Sequence, residues 1–348
     1  MQRPDLSAIP EEVRAYIEYL ETQVARQTPQ KAARLAALAE EDEPLPEVPL
    51  DPTEPPTTIN LLTLHAQTLR RTPRHLYQRQ RRGGMGTLDL PEIGSNAPIF
   101  LAAADESQKV LLFTSAGRAF HWQLNRLSAA ELRASGENIG ARLGLQPSEH
   151  LVAALPATTQ GYIILASANG MVRRLRHHLF GDYMKPGASM IDPKEFDTLV
   201  SACIASGEDD LFLVSRQGVA IRFDEKLVAP TGSRGLRLKD DDALVSVCAV
   251  REESGVFLLS ADGRGTIRQM SGFTANKAPG AGGKIALKTE KLAAACTVRE
   301  GDDLFVITRN GKIIRFKSAE IPPKEGVVQG VVCMSLRADE CVAAFATQ

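Results

Sequence analysis

The stretch "TRNGKIIRF", Thr308 to Phe316, is one copy of a short motif that recurs along the chain. The motif reads Thr or Ser, two variable residues, Gly, three variable residues and Arg, and this copy follows the apolar run "DLFVI". Asn310-Gly311 is a dipeptide that tolerates the positive φ angles of a tight hairpin turn. Each copy therefore predicts a strand, a turn and a second strand.

The copies are regularly spaced. They start 45 to 53 residues apart, at Thr63, Thr114, Ser167, Ser215, Ser260 and Thr308. A second glycine follows each start after 20 to 22 residues, at Gly83, Gly136, Gly187, Gly235, Gly282 and Gly330. Apolar runs such as "LVSACIA" then close the units. This periodicity predicts an all-β, six-bladed, propeller-like pinwheel over residues 58–348, with repeats at about 58–104, 105–158, 159–207, 208–254, 255–300 and 301–348.

The segment before the repeats differs in pattern and charge. Residues 1–57 hold five Lys or Arg against twelve Asp or Glu, whereas the remainder holds 36 basic and 30 acidic residues. We expect a short α-helical segment within 1–41, followed by an acidic, proline-rich linker over 42–57. Val13, Ile17, Leu20 and Val24 form an a/d seam, which predicts self-association or docking to a protein partner.

Several classes of function find no support in the sequence. It contains no P-loop, nucleophile elbow or metal-spaced carboxylates, so we expect no enzyme activity, cofactor or metal. Neither a secretory signal nor a long apolar run is present, and the five cysteines lack zinc-site spacing, so we expect a cytoplasmic protein without a membrane partner. Cys203, Cys248 and Cys296 share one repeat position and are interpreted as small buried strand residues.

The arginines of the motif suggest a polyanionic ligand. They are Arg70, Arg174, Arg222 and Arg315, with Arg268 one place late in its unit. Repetition would place positive charge around the disc, where curved duplex DNA could be bound through its phosphates. The alternative is that these side chains lie along apolar neighbours and keep a sheet edge soluble. Charge alone leaves both interpretations open.

A family resemblance favours the first interpretation. The segment "LLTLHAQTLRRTPRHLYQRQRRGGMG", residues 61–86, resembles the first blade of the C-terminal domain found in the A subunits of DNA gyrase and topoisomerase IV. It includes a version of the gyrase-A box, usually Gln-Arg-Arg-Gly-Gly-Lys-Gly, in which Met85 replaces the lysine. "LLFTSAGRAFHWQLNRL" and "DDLFVITRNGKIIRF" are similar to the second and last blades, so the resemblance covers about residues 58–348.

The resemblance implies a non-catalytic module that binds and bends duplex DNA without reading its sequence, in DNA topology or nucleoid organisation. It implies a type II topoisomerase as partner, and a stand-alone chain without the breakage-rejoining domain that carries the catalytic tyrosine. The predicted DNA-binding residues are Arg70, Arg71, Arg74, Arg79, Gln80, Arg81, Arg82, Gly83, Gly84, Gly86, Arg173, Arg174, Arg222, Arg268, Lys284 and Arg315. Loss of the lysine at Met85 predicts about one phosphate contact fewer than in the full box.

Two alternatives stay open. "GAGGKIALK", residues 280–288, is either a degenerate second box, with Gly282-Gly283-Lys284 in register with Gly83-Gly84-Met85, or a structural glycine turn. The altered box, and His121 and Ile267 where other repeats carry Arg, also fit a protein-interaction scaffold that has lost DNA wrapping, with the acidic linker in the DNA path.

Overall fold

The computed structural model describes residues 55–91, 99–157 and 160–347. The helix predicted within residues 1–41, its seam at Val13, Ile17, Leu20 and Val24, and the linker up to residue 54 lie outside the described residues.

The described residues form six sheets, which we call blades 1 to 6 in the order of their first strands. From the innermost to the outermost strand, blade 1 contains β4 (Ile99–Asp105), β1 (Ile59–His65), β2 (Thr68–Pro73) and β7 (Glu137–Asn138). Blade 2 contains β8 (Leu151–Pro156), β5 (Lys109–Thr114), β6 (Arg118–Gln123) and β11 (Ala188–Ser189). Blade 3 contains β12 (Leu199–Ala205), β9 (Tyr162–Ser167), β10 (Met171–Arg176) and β15 (Ser233–Arg234).

The other three blades follow the same order. Blade 4 contains β16 (Leu244–Val250), β13 (Asp210–Ser215), β14 (Val219–Asp224) and β19 (Lys284–Ile285). Blade 5 contains β20 (Leu292–Val298), β17 (Gly255–Ser260), β18 (Arg264–Gln269) and two short outer strands, β23 (Pro323–Lys324) and β24 (Val331–Val332). Blade 6 contains β25 (Cys341–Thr347), β21 (Asp303–Thr308), β22 (Lys312–Lys317) and β3 (Thr87–Leu88).

The helices within the described residues are short connections. One α-helical turn, α1 (Gly140–Leu143), precedes β8, and single 3-10 turns span Arg74–Leu76, Leu124–Arg126, His177–Phe180, Glu225–Leu227 and Ser318–Glu320. Among the residues that the structure describes, no helix is long and apolar enough to cross a membrane.

The six blades close into a ring. Their innermost strands contact one another in the order β4, β8, β12, β16, β20, β25 and back to β4. Apolar clusters fill the space between neighbouring blades. Leu62 and Leu112 lie in the cluster between blades 1 and 2, and Leu61 and Phe305 in the one between blades 6 and 1. The predicted six-bladed pinwheel is therefore confirmed.

Each blade takes its outermost strand from the following unit of the sequence. Blade 4, for example, is completed by β19, which follows the first three strands of blade 4 and the hairpin of blade 5 in the chain. In blade 6 the outermost strand is β3, from the first unit, with Leu88 opposite Lys312 and Thr87 opposite Ile313. The ring is thus closed by the residues that directly follow the box.

The motif glycine holds the outer strand in place. At Gly218, φ is +73°, and its carbonyl accepts a hydrogen bond from Ala286 N at 2.9 Å. A Cβ atom there would lie 2.2 Å from Leu287 O. Glycine is required both for the backbone conformation and for the close approach of the next unit.

The three repeated cysteines lie on innermost strands. Cys248 is buried, while Cys203 and Cys296 are half-buried. Burial raises the pKa of Cys248 to about 11, so its thiol is protonated at neutral pH. No group of three or more His, Cys, Asp or Glu side chains within 55–91, 99–157 and 160–347 is arranged to hold a metal ion.

Candidate nucleic-acid interface

The motif arginines lie inside the blades. Arg70 and Arg315 are each 2% exposed, and Arg222 is 5% exposed. Arg315 Nε donates to Asp303 Oδ2 at 2.8 Å, and its Nη1 donates to Tyr77 O at 3.0 Å. Such a guanidinium fixes the connecting segment of one unit to the sheet of another. This placement differs from the expected array at the rim, because even spacing within a strand sets only the face that a side chain occupies.

The first motif arginine is buried with its counter-charge. Arg70 Nη1 and Nη2 donate to the two carboxylate oxygens of Asp89 at 2.9 and 2.8 Å. The Tyr77 hydroxyl lies 3.2 Å from both oxygens. Burial and the Asp89 carboxylate raise the pKa of Tyr77 well above its ordinary value, so its hydroxyl is a hydrogen-bond donor. Asp89 directly follows β3, so this cluster anchors the end of the ring-closing strand.

Blades 3 to 5 use their arginines in related ways. Arg222 pairs with Asp210 and Glu252, each at 2.8 Å, and donates to Met270 O at 2.7 Å. Arg174 donates to Glu225 Oε2 at 2.8 Å and stacks on Tyr162. Arg268 is 5% exposed, donates to Gly326 O, and has its pKa lowered by burial.

Other predicted residues also have intramolecular contacts. Arg71 Nε donates to Leu127 O at 2.6 Å, and Arg173 Nη1 donates to Met190 O at 2.8 Å. Arg74 is half-buried in the first 3-10 turn, and its carbonyl accepts from Arg315 at 3.3 Å. Of the predicted set, Lys284 is the cation that the structure exposes on a rim strand.

The box segment, residues 80–86, closes the ring by contacting the sixth unit, and we call it the clasp. Arg82 is 5% exposed; its backbone N–H donates to Glu320 Oε2 at 2.9 Å and its Nη1 to Val332 O at 3.1 Å. Gln80 N donates to Arg315 O at 2.7 Å. Arg81 is half-buried and also makes an intramolecular contact. The box therefore joins the first and sixth units.

The box glycines and Met85 shape the outer surface of this clasp. Gly83 and Gly86 have φ angles of +78° and +68°, and a Cβ atom at Gly86 would lie 2.6 Å from Ile313 O. Gly84 is half-buried without a positive φ. Met85 is 51% exposed. The position that carries lysine in the usual box is thus at the solvent-facing tip.

The second-box interpretation had the wrong register. Gly83 N donates to Cys333 O at 2.8 Å, and Gly280 N donates to Gly235 O at 2.8 Å. Since Cys333 N and Gly235 N both donate to the turn glycine of the preceding unit, Gly280 is the counterpart of Gly83. Lys284 therefore corresponds to Thr87. The glycines that precede the outer strands are Gly86, Gly136, Gly187, Gly232, Gly283 and Gly330, so Gly83, Gly235 and Gly282 are not in phase with the others.

Exposed cations cluster on the rim of blades 3 and 4. We call this set the basic arc; its members are Arg234, Arg237, Lys277, Lys284 and Lys288. Arg237 N donates to Ala281 O at 3.0 Å, which places the two rim segments side by side. Lys284 Nζ lies 3.4 Å from Thr274 O and 5.4 Å from the ring of Phe273.

The remaining members of the arc have no competing partner within 55–91, 99–157 and 160–347. The side chains of Arg234, Arg237, Lys277 and Lys288 form no hydrogen bond or ion pair with any residue that the structure describes. Of the five cations, only Lys284 was predicted from the sequence as a site residue. The available signal was the stretch 277–288, which holds three lysines and no acidic residue.

Two relatives of the chain are A subunits of DNA gyrase. The family described as DNA gyrase C-terminal domain, beta-propeller, matches residues 209–250 and 302–347. The A subunit of DNA gyrase from Mycolicibacterium smegmatis is 30% identical over 80% of this chain and 34% of its own length. That from Clostridium acetobutylicum is 32% identical over 81% of this chain and 35% of its own length. The chain thus spans about a third of the length of these relatives.

Solved structures share the fold. The DNA gyrase A C-terminal domain superposes with a TM-score of 0.73 and 20% identity, covering 83% of this chain and all of that domain. The C-terminal domain of DNA topoisomerase IV superposes with a TM-score of 0.60 and 18% identity, covering 83% and 93% of the two chains. With six blades, the repeated motif and the box in its first unit, the chain is similar to the DNA gyrase A C-terminal domain family.

Proposed function

We propose that the disc binds duplex DNA along its outer rim and bends it, through phosphate contacts and without catalysis. The basic arc carries this proposal, because it concentrates five exposed cations on two adjacent rim segments. The resemblance to the DNA gyrase C-terminal domain supports it, since that resemblance implies a domain that wraps DNA in gyrase. Lysine and arginine at such a surface replace the counterions of DNA phosphates, which gives affinity without base recognition.

The shape of the rim supports bending. A duplex that follows a convex edge from blade 3 to blade 4 meets successive cations only if it curves with the disc. The elastic cost of such a curve is of order 1–6 kcal/mol for 40–90° over one site. Several simultaneous phosphate contacts can offset that cost, so we expect bound DNA to be bent.

The cellular role follows the same reasoning. We propose a cytoplasmic, nucleoid-associated module that acts beside a type II topoisomerase and leaves strand breakage to another domain or protein. The family relationship supports this role, since the relatives are gyrase subunits.

A second candidate is a protein-interaction scaffold that has lost wrapping. Burial of the motif arginines favours it, because their charges are neutralised inside the blades. The exposed methionine at position 85 favours it as well.

A ligation assay separates the two. Nicked plasmid is closed by ligase with increasing amounts of protein, and the linking number of the purified DNA is measured. We expect a shift that grows with protein and falls strongly in the triple variant Lys277→Ala, Lys284→Ala, Lys288→Ala. The matched control removes three exposed charges from loops away from the outermost strands, Arg216→Ala, Arg251→Ala and Arg299→Ala. No shift with the unmodified protein, together with no DNA binding at low salt, would overturn the proposal in favour of the scaffold.

A further inference from the structure

Arg133 has an unfavourable backbone conformation for its residue type. Its φ is +67°, in the left-handed region that a side chain with a Cβ atom rarely adopts. Ala66 and Ala338, at +52° and +49°, are the other non-glycine residues with positive φ within the described ranges. The loop before β7 therefore keeps an arginine where the backbone favours glycine.

The surrounding contacts impose this conformation. Arg133 N donates to Asp89 O at 2.8 Å, and Asp89 is itself fixed by Arg70. Glu131 O accepts from Arg70 Nη2 at 3.0 Å, and Leu132 packs against the cluster between blades 6 and 1. The main chain of the loop is thus held at Arg133 and at the two residues before it.

Equivalent positions in two other units use glycine. Gly83 and Gly280 have φ angles of +78° and +81°, and each donates its N–H to the preceding rim segment at 2.8 Å, as Arg133 does. The fold accepts glycine here and gains backbone stability from it. The presence of an arginine at this position therefore needs another explanation, and no contact of its side chain with the described residues gives one. It is exposed and forms no hydrogen bond or ion pair with the described part of the chain.

We propose that Arg133 is a phosphate-binding residue of the rim, where a positive charge is retained in spite of backbone strain. Its hydrogen bond to Asp89 places it beside the ring-closing strand β3, which ends one residue earlier at Leu88. It would extend the DNA path from the outer edge of blade 6, where the box lies, to that of blade 1. Strained residues are concentrated at functional sites, where a residue is retained for its function in spite of the strain.

This inference rests on the proposed DNA binding, and its test separates the two. Thermal unfolding and the affinity for a linear mixed-sequence duplex, measured over a range of salt, are compared for four variants. Arg133→Gly removes charge and strain together, whereas Arg133→Lys keeps the charge. Ala338→Gly relieves a positive φ without a charge change, and Arg299→Ala removes an exposed charge from a face loop between β20 and β21.

We expect opposite effects on stability and affinity. Arg133→Gly should raise the melting temperature by about 2 °C. The same variant should weaken DNA binding roughly three- to tenfold at 0.1 M salt and reduce the salt slope by about 0.9. Arg133→Lys should keep most of the salt slope, Ala338→Gly should change only the melting temperature, and Arg299→Ala should have the smaller effect on binding.

Two results would overturn the inference. If Arg133→Gly binds DNA as well as Arg299→Ala does, the inference fails while the proposed function stands. If the unmodified protein does not bind DNA at any salt concentration, both fail.

Discussion

Arg79 donates through Nε to both carboxylate oxygens of Asp303 at 3.1 Å, across 224 residues of sequence. Asp303 is 1% exposed, and its carboxylate also accepts a hydrogen bond from Arg315 and lies 3.1 Å from Lys317 Nζ. One buried anion therefore holds the first and last units together.

Asp303→Asn should weaken the whole fold. Loss of the negative charge leaves Arg315 buried without its counter-charge, for which we expect a decrease of about 3–5 kcal/mol in the free energy of unfolding. Urea denaturation measures it. Asp182→Asn is the control, because Asp182 pairs with Lys109 at the surface, and it should change little. Equal effects of the two substitutions would contradict the role assigned to Asp303.

The contribution of the neighbouring Asp302 to stability should change with pH in the direction opposite to that of Asp303. Burial raises its pKa, whereas for Asp303 the charges of Arg315 and Arg79 outweigh burial and lower the pKa. Asp303 therefore contributes stability above the unfolded pKa of about 3.9, and this is lost as the pH falls through its lower folded value. Asp302 is destabilising when ionised, so stability falls as the pH rises through its raised pKa. At pH 7, Asp302→Asn should raise stability, and Asp303→Asn should lower it; the same sign for both would refute this.

Arg82→Ala should act on stability. Its side chain is buried and donates to Val332 O, so truncation removes a ring-closing contact, at a cost of about 1–3 kcal/mol. Differential scanning calorimetry at fixed salt measures it, with Arg126→Ala, an exposed arginine, as the control. An unchanged melting temperature for Arg82→Ala would show that the clasp does not depend on this residue. The predicted phosphate contacts of Arg81 and Arg82 stay predictions.

Gly218→Ala should be severely destabilising. The new Cβ atom would lie 2.2 Å from Leu287 O in a backbone with φ of +73°, so the outer strand of blade 4 must move. We expect a loss of about 2–4 kcal/mol. Gly282→Ala is the matched control, since its Cβ atom would meet nothing within 4 Å. A soluble, equally stable Gly218→Ala protein would contradict the requirement for glycine at this turn.

Met85→Lys should strengthen DNA binding. Met85 is 51% exposed at the tip of the box, so a lysine there can reach a phosphate without disturbing the clasp. The slope of log affinity against log salt should become steeper by about 0.9. Filter binding at several salt concentrations measures the slope, and Met85→Gln controls for polarity. A slope equal to that of Met85→Gln would remove the box tip from the DNA path.

The fold could be predicted because its signals are local and periodic. The turn glycines, as at Gly218 and Gly311, recur in five of the six hairpins, with Ala66 in the first, and their φ angles of +73° and +75° agree with the expected tight turns. The exchange of outer strands between units leaves no such trace, because β3 and β19 are only two residues long. For that reason the phase of the second glycine was misjudged by up to three residues, as at Gly83.

The site was harder to predict than the fold. Sequence spacing placed Arg222 and Arg315 on one face of a strand. Whether that face is buried depends on the segment that covers it, and here the carbonyl oxygens of Met270 and Tyr77 accept hydrogen bonds from the two arginines. The basic arc was missed because Arg234 and Lys277 belong to different units, whose rim segments lie side by side only in the folded ring. Arg133 was invisible, because a sequence does not reveal a positive φ at an arginine.

The clasp has a consequence for the order of synthesis. On the ribosome, β3 is made near the start of the disc, yet its partner β22 is made more than 220 residues later. The backbone groups of β3 stay unpaired until the last hairpin forms, whereas the five earlier hairpins can already pack. Closing so long a loop is slow relative to local pairing. We therefore expect nascent chains to hold an open arc of blades, which becomes a ring only when translation of the sixth unit ends.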